Sequence, residues 1–507
     1  MCVDMKTAID LEKLKLAVIV DSITKKCLSY ECTVIALDSN WYIKQIEKYN
    51  PDLLLVETVT NNSAWEKQLL SLRNDNNNKL KDLTECCKKN NIPTVFFYKN
   101  GVKDIEKYIK IVKLFDYVFT IDTKSFNRYK KILNNNNIYM LFNSIQPAIH
   151  KPYFWNKSRE KSSFFKSIDK NSIVNNYINY DWNIINRLMN KNRYTEVAKE
   201  IFEIISEEVN IINAYIYGVK VLFNSTRFRR LNKIIKDKEI SDRLDALILR
   251  EVLNKYTYKN MLAEIIEKTN IKSNIDYLPG VSIIIGTKRP YFMNNVFENF
   301  SRQNYRKKEL IIVLNNNEMD IKKWKEKAKF YGDNIKVLQI DEKFFLGDCL
   351  NYAIENSKYE FISKFDDDDF YNCEYIRDLM NCFKYTNASI VGKQAAYFYF
   401  EKNNSLAIRN SNEEYKFVKM VMGSTITFKK SGIRNTKFLH TSKGEDYRFC
   451  IQNIEKGVKI FSSDRFNHTV CRREDVKSHT WRVSKKKLMR ECEFIKYTKD
   501  FKDYVGI

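Results

Sequence analysis

The residues best suited to chemistry in this sequence are four consecutive carboxylates: Asp366, Asp367, Asp368 and Asp369. They follow residues 361–365, a run with the length and apolar character of a β-strand. Adjacent anions repel one another, and a divalent cation supplies the counter-charge, because carboxylate oxygens are ligands that Mg²⁺ and Mn²⁺ prefer. The pattern predicts a divalent-cation site at a strand end. The alternative is an acidic, solvated loop.

A β-sheet must position these carboxylates, and the region after Pro279 and Gly280 has the sequence pattern of a β-sheet. Short apolar runs alternate with segments of helical spacing, which is typical of a parallel sheet with covered faces. The predicted strands are residues 281–285, 309–314, 335–340 and 359–365, and the predicted helices are residues 293–303 and 346–356. Ligands bind at the carboxyl ends of the strands in such sheets.

Four other motifs accompany the carboxylates in a fixed order. The first strand ends in IGTKRP (285–290), the second ends in NNN (315–317), and LGDCLNYA (346–353) begins a helix. GED (444–446) then stands before a later helix. With the Asp-x-Asp at 366–368, this ordered set makes residues 279–481 resemble the GT-A glycosyltransferases of family 2. The departure is that the second strand ends in Asn, where the family usually has an Asp.

The resemblance implies an inverting transfer from a nucleotide-diphosphate sugar, with a UDP-sugar as first choice and Mn²⁺ or Mg²⁺ as cofactor. Asp368 and Asp366 match the metal-binding carboxylates, and Asp446 matches the general base. His479 lies where many GT-A enzymes return a histidine to the metal, and His468 is the second choice. An ordinary surface or core imidazole is an equal alternative for His479. The implied donor-binding residues are Thr287, Lys288, Arg289, Asn315, Asn317, Asp366 and Asp367.

Residues 14–150 show a second alternation of apolar runs and helical segments, which predicts a Rossmann-like parallel sheet. Residues 51–57 with Trp65, and residues 144–150, resemble the first half of the CgeB-type glycosyltransferases, which have a GT-B architecture. The donor site of that architecture lies mainly in a second half, which does not follow here. The resemblance therefore implies an acceptor-binding or structural role for this domain.

Residues 151–277 lose the strand pattern and are predicted to be helical. Residues 192–201 and 226–235 are similar at a spacing of 34 residues, the period of tetratricopeptide repeats. An ordinary pair of helical hairpins is an equal alternative. We thus expect three domains, at residues 14–150, 151–277 and 278–507, with the part after about Ser273 able to fold alone.

The composition of the 507 residues excludes several classes of protein. The 12 glycines include no pair spaced as in the dinucleotide-binding or P-loop motifs. Lys and Arg number 87 against 63 acidic residues, a net charge of +24 that indicates an anionic partner or a Lys-rich solvated surface. We find no RNP or helix-turn-helix signature, so specific nucleic-acid binding is not expected.

Cysteine usage and hydropathy bear on location. The 11 cysteines include no Cys-x-x-Cys pair, which fits a reducing cytoplasm better than a disulfide framework. No apolar run has the length of a membrane-spanning helix. We expect a cytoplasmic protein, with peripheral contact at the inner membrane face still open.

Together these features predict a hexosyltransferase-type enzyme with a glycan, peptide or protein acceptor, such as a cell-surface or spore glycan. One alternative is a HAD-type phosphohydrolase, which also places an Asp-x-Asp after an apolar strand. The other is a non-catalytic scaffold, in which helices between two degenerate transferase domains bind a partner.

Overall fold

The computed structural model describes residues 10–58, 65, 79–99, 105–133, 136–152, 194–208, 215, 234–272, 278–474, 483 and 485–507. It divides into two compact units. Unit 1 comprises Met1–His150 and Val252–Tyr277, and unit 2 comprises Lys151–Glu251 and Leu278–Ile507. Within the described ranges, no helix combines the length and apolar character that crossing a membrane requires.

Unit 1 contains a six-stranded parallel sheet in the order β2-β1-β3-β4-β5-β6, which confirms the predicted Rossmann-like architecture. Its strands are β1 Lys15–Ile19, β2 Thr33–Ala36, β3 Leu53–Glu57, β4 Thr94–Tyr98, β5 Tyr117–Thr120 and β6 Ile138–Met140. Its first helices are α1 Ser22–Leu28, α2 Tyr42–Tyr49, α3 Lys79–Lys89, α4 Ile105–Val112 and α5 Thr123–Leu133. The central strands β3 and β4 are wholly buried because apolar clusters cover both faces of the sheet.

The described residues between 194 and 268 are helical, as predicted. They form α6 Tyr194–Glu208, α7 Lys238–Lys255 and α8 Tyr258–Lys268. The apolar face of α8 packs in the core of unit 1 through Tyr258, Met261 and Leu262. Much of the proposed 34-residue repeat lies outside the described residues, so the repeat and the separate helical domain stay predictions.

Unit 2 is built on an eight-stranded mixed sheet in the order β15-β17-β12-β16-β10-β7-β8-β9. Its first strands, β7 Val281–Thr287, β8 Lys308–Leu314, β9 Ile335–Gln339 and β10 Phe361–Lys364, are mutually parallel, and β16 Thr427–Lys429 pairs antiparallel to β10. The other strands are β12 Ile390–Gly392, β15 Lys416–Val418 and β17 Ile460–Ser462. This arrangement confirms the predicted GT-A fold, and it brings the carboxyl ends of β7, β8 and β10 to one edge.

A second sheet of unit 2 has five strands in the order β11-β18-β13-β14-β19. They are β11 Phe370–Tyr371, β13 Ala396–Phe400, β14 Ser405–Arg409, β18 His468–Arg472 and β19 Cys492–Tyr497. The remaining helices of unit 2 are α9 Met293–Arg302, α10 Ile321–Tyr331, α11 Leu346–Glu355, α12 Tyr375–Tyr385, α13 Glu445–Glu455, α14 Lys485–Arg490 and α15 Phe501–Val505. Because β11 follows the four carboxylates directly, this sheet holds the far side of their turn.

Buried ion pairs join α7 to the rest of unit 2. The buried guanidinium of Arg465 pairs with Glu239 and with Asp242, at 2.8 Å for the latter. Arg250, also on α7, pairs with Asp378 of α12 at 2.8 Å. These contacts argue against independent folding of the part after Ser273, because that part would lose the helix that neutralises its buried charges.

Candidate active site

The edge formed by β7, β8 and β10 collects most of the residues singled out from the sequence. Thr287 lies opposite Leu314 in the β7–β8 register, and Lys364 lies opposite Ile284 in the β7–β10 register. The loops after these three strands therefore leave the sheet side by side. One contains Arg289, one contains Asn315, and one contains the carboxylate turn, which we define as residues 366–369.

Side-chain amides and a phenol hold the backbone of the carboxylate turn. Asn295 of α9 donates to the carbonyls of Asp367 and Asp369 at 2.7 and 3.0 Å, and Asn299 donates to Asp369 at 2.9 Å. The backbone N–H of Asp366 donates to the hydroxyl of Tyr371 at 2.8 Å. Because a buried backbone group without a partner costs free energy, these bonds fix the turn and aim its side chains.

Asp367 is tied to the loop after β7. Its carboxylate accepts hydrogen bonds from the guanidinium of Arg289 and from the hydroxyl of Thr287, the latter at 2.5 Å. Burial raises the pKa of Asp367 to about 6 even though Arg289 and Thr287 favour its ionised form. Sequence reasoning assigned Thr287, Arg289 and Asp367 to the donor, and the structure brings all three together.

Asp368 lies between two guanidinium groups. Arg473 donates to its Oδ2 at 2.7 Å, and Arg289 approaches its Oδ1 at 3.1 Å. Burial acts to raise the pKa of Asp368, but Arg289 and Arg473 outweigh it and hold that pKa below its ordinary value. Both guanidinium groups also lie over the ring of Phe292, at 4.8 and 4.6 Å from its centroid. Asp368 is therefore ionised and faces concentrated positive charge.

Asp369 and His468 lie behind the turn. The ring Nε2 of His468 is 3.4 Å from Asp369 and 3.2 Å from the hydroxyl of Ser424, and the ring is wholly buried. Burial lowers the pKa of His468 to about 3, so the ring is neutral. His468 thus supports the turn from inside the protein. His479, the first choice for a metal ligand, lies outside the described residues.

Asp446 lies in the first turn of α13, against the same edge. Its Oδ2 is 3.3 Å from Nζ of Lys364, the last residue of β10. Its Oδ1 is buried and has no hydrogen-bond partner. Burial raises the pKa of Asp446 to about 7, with Lys364 opposing the shift and Glu445 and Asp366 adding to it. Asp446 is therefore held through one oxygen and has a pKa close to neutral pH.

Gly423 makes the position of Asp446 sterically possible. A Cβ atom at residue 423 would lie 2.0 Å from Oδ2 of Asp446, so only glycine fits. Sequence reasoning missed both Gly423 and Lys364. Lys364 does carry a signal, since it is the one charged residue in the apolar run directly before the carboxylates. Gly423 carries none, because its neighbour is brought in by a distant helix.

The remaining donor-binding candidates lie at the same edge. Lys288 is exposed. Asn315 donates to the carbonyl of Asp341 at 2.9 Å, and Asn317 accepts from the backbone N–H of Glu342 at 3.3 Å. These two amides therefore brace the segment after β9, and their proposed contact with a nucleotide stays a prediction.

The four carboxylates of the turn differ in exposure. The Asp366 side chain is 36% exposed and the Asp368 side chain is 12% exposed, whereas Asp367 and Asp369 are almost fully buried. Among the described residues, no group of three or more His, Cys, Asp or Glu side chains is arranged to hold a metal. Lys364 and Arg473 supply counter-charge to Asp366 and Asp368, at 2.5 and 2.7 Å. These two acids are the ones that could join Mg²⁺ or Mn²⁺, since such ions take one or two protein carboxylates together with substrate phosphates, and the metal site stays a prediction.

Comparison with known proteins agrees with this geometry. Residues 282–440 match the family model described as Glycosyl transferase family 2, which spans β7 to the segment before α13. Residues 282–440 therefore form a family 2 glycosyltransferase domain. The carboxylate turn and the loop after β7 lie inside the matched range of this transferase domain, and Asp446 lies beyond it. No curated protein matches the chain.

Solved structures similar to this chain include those of TarS from S. aureus. TarS 1–349 has a TM-score of 0.32 and 16% identity over 38% of this chain and 60% of that one. Its complex with UDP-GlcNAc has a TM-score of 0.35 and 16% identity over 40% and 61%. A further structure of TarS has a TM-score of 0.32 and 16% identity over 38% of this chain and 36% of that one. The chain thus spans less than two thirds of each of these TarS chains.

Proposed function

We propose that this protein is a metal-dependent, inverting glycosyltransferase that moves a sugar from a nucleotide-diphosphate donor to an acceptor hydroxyl. The observation that carries the proposal is the partly exposed carboxylate of Asp446, which Lys364 holds beside the carboxylate turn of a family 2 domain. A UDP-sugar is the first donor to test. The acceptor we propose is a glycan, a peptide or a protein.

In the proposed reaction, Asp446 acts as the general base. The acceptor oxygen bonds to C1 of the sugar while the bond from C1 to the donor phosphate breaks, and the acceptor proton passes to the carboxylate of Asp446. The nucleotide diphosphate leaves from the opposite face, so the configuration at C1 inverts. General-base assistance of this kind contributes about 10²–10⁴-fold to the rate.

The carboxylate turn would serve the donor. Asp366 and Asp368 would hold Mn²⁺ or Mg²⁺, which when bound offsets the charge that develops on a leaving diphosphate. Arg289 holds Asp367 and reaches Asp368, so it fixes both side chains in one orientation. Arg473 brings a second guanidinium to the same place, and guanidinium groups suit phosphate oxygens.

The test of the proposed function is donor hydrolysis by the full chain, with Mn²⁺ and a panel of UDP-, GDP- and CMP-sugars. We expect one nucleotide class to be cleaved, and the Asp446→Asn variant to lose at least about 10²-fold in turnover while keeping donor affinity. No cleavage of any donor and no donor binding would contradict the proposal and would favour the scaffold alternative. Release of inorganic phosphate from phosphomonoesters would favour the phosphohydrolase alternative.

We also propose a cytoplasmic location and a role for unit 1 in acceptor binding. The ten cysteines among the described residues are all free, which suits a reducing compartment. Unit 1 has its own two-sided core and a sheet of the type that binds ligands at its carboxyl edge. A chain that lacks unit 1 residues and still transfers sugar to the true acceptor at the full rate would contradict this role.

A further inference from the structure

A single buried lysine stands between the two functional parts of the site. Lys364 ends β10, and its side chain is only 1% exposed. Its Nζ lies 2.5 Å from Oδ1 of Asp366 and 3.3 Å from Oδ2 of Asp446. Its backbone N–H donates to the carbonyl of Ile426 at 2.9 Å, which fixes the start of the side chain. One ammonium group therefore links the carboxylate turn with α13.

Lys364 and Gly423 together account for the position of the Asp446 carboxylate. Oδ2 is held by the ammonium group on one side and pressed against Gly423 on the other. Oδ1 is left buried without a partner. A carboxylate held through one oxygen has a defined orientation, and a misplacement of about 1 Å in a catalytic group costs about 10²-fold in rate.

We propose that Lys364 is a positioning residue that holds Oδ2 of Asp446 and thereby fixes the orientation of this carboxylate toward the acceptor hydroxyl. This inference rests on the proposed function, because it presupposes that Asp446 is the base. It adds that the base is held by a residue of the strand that delivers the carboxylate turn. Lys364 acts through Asp446, so removing it has little effect once Asp446 is gone.

A double-mutant cycle tests this coupling in the full chain, with hydrolysis of the donor that the panel selects. We expect Lys364→Met to lower kcat by about 10- to 100-fold. Because Lys364 also pairs with Asp366, any change in the calorimetric Kd for the donor should be the same with and without Asp446. In the Asp446→Asn background, the same change should lower kcat by less than about threefold. Lys308→Met is a matched control: Lys308 is a half-buried lysine that begins β8, at the opposite edge of the sheet.

Lys364→Arg keeps the positive charge, so it still tests the positioning role if the Lys364→Met variant fails to fold. We expect it to lose less kcat than Lys364→Met and to have no effect in the Asp446→Asn background. Equal losses in both backgrounds, or a loss of donor affinity in place of kcat, would overturn the positioning role. An Asp446→Asn enzyme with near-normal turnover would instead overturn the proposed function itself, so the two failures are distinguishable. Thermal unfolding of each variant shows that the protein compared is folded.

Discussion

The aspartates of this site differ in pKa because their burial and their neighbouring charges differ. Asp368 stays ionised between two guanidinium groups, whereas burial raises the pKa of Asp446 to about 7. A group that binds a cation needs permanent charge, and a general base works best with a pKa near the working pH. The two carboxylates are therefore suited to different tasks.

The raised pKa of Asp446 predicts that turnover depends on pH. Asp446 must be ionised to accept a proton, and below pH 7 each pH unit removes about nine tenths of that form. Activity should therefore be lost as the pH falls through about 7. The check is the kcat of donor hydrolysis between about pH 5 and pH 9. A flat profile over that range would contradict the assignment of Asp446 as the base.

The proposed role of Asp368 as a metal ligand predicts metal-dependent donor binding. Chelation by EDTA should abolish activity, and Mn²⁺ or Mg²⁺ should restore it, since hard carboxylate oxygens bind these ions. Asp368→Asn should remove the part of donor affinity that calorimetry finds only with Mn²⁺ present. Asp333→Asn, an exposed acid before β9, is the control and should change nothing. Full activity after exhaustive chelation would exclude the metal.

At the scale of elements, the position of Asp446, the proposed base, depends on two segments that are distant in sequence and meet in the fold. Gly423 precedes β16, and Asp446 belongs to α13. Gly423→Ala should displace the Asp446 carboxylate, because the new Cβ would lie 2.0 Å from Oδ2. We expect kcat to fall by about 10²-fold while donor affinity is kept.

Gly432→Ala is the matched control for this steric effect. Its new Cβ would lie 2.5 Å from the side chain of Ser389, so a similar clash arises near the opposite edge of the sheet. Both variants should lower the unfolding temperature, but only the change at residue 423 should reduce turnover of the folded protein. Equal turnover in the two variants would show that Gly423 is needed for packing alone.

The difference between local sequence and tertiary pairing explains how much of the site could be predicted from sequence. The strands that end at Thr287, Leu314 and Lys364 can be predicted from the sequence, because a buried parallel strand is a short apolar run next to polar loop residues. The contacts of Asp446 cannot be predicted in this way, since Lys364 and Gly423 reach it only through the pairing of β10 with β16 and β7. Local sequence specifies which groups lie at an edge, and tertiary pairing specifies which of them touch.

At the scale of the whole molecule, α7 contributes charges that the transferase domain needs. Arg243 of α7 is buried and donates to the carbonyl of Tyr504 at 2.6 Å, near the end of the chain. Arg465 pairs with two acids of α7 and with Glu414. The sequence could not show this dependence, because the helical pattern of α7 reveals its apolar positions and not the ion pairs made by its polar ones.

This network predicts where the chain can be cut. Removing one partner of a buried ion pair costs about 3–5 kcal/mol, because the other charge stays buried and uncompensated. A chain that begins near Ser273 loses α7 and should therefore lack a cooperative thermal transition, whereas one that begins at Lys151 should unfold cooperatively and bind donor. In the full chain, Arg243→Met should lower the unfolding free energy by several kcal/mol, and Arg128→Met, which removes an exposed ion pair, by at most about 1 kcal/mol. Equal melting of the two truncated chains would mean that α7 is dispensable and that the transferase domain begins at Leu278.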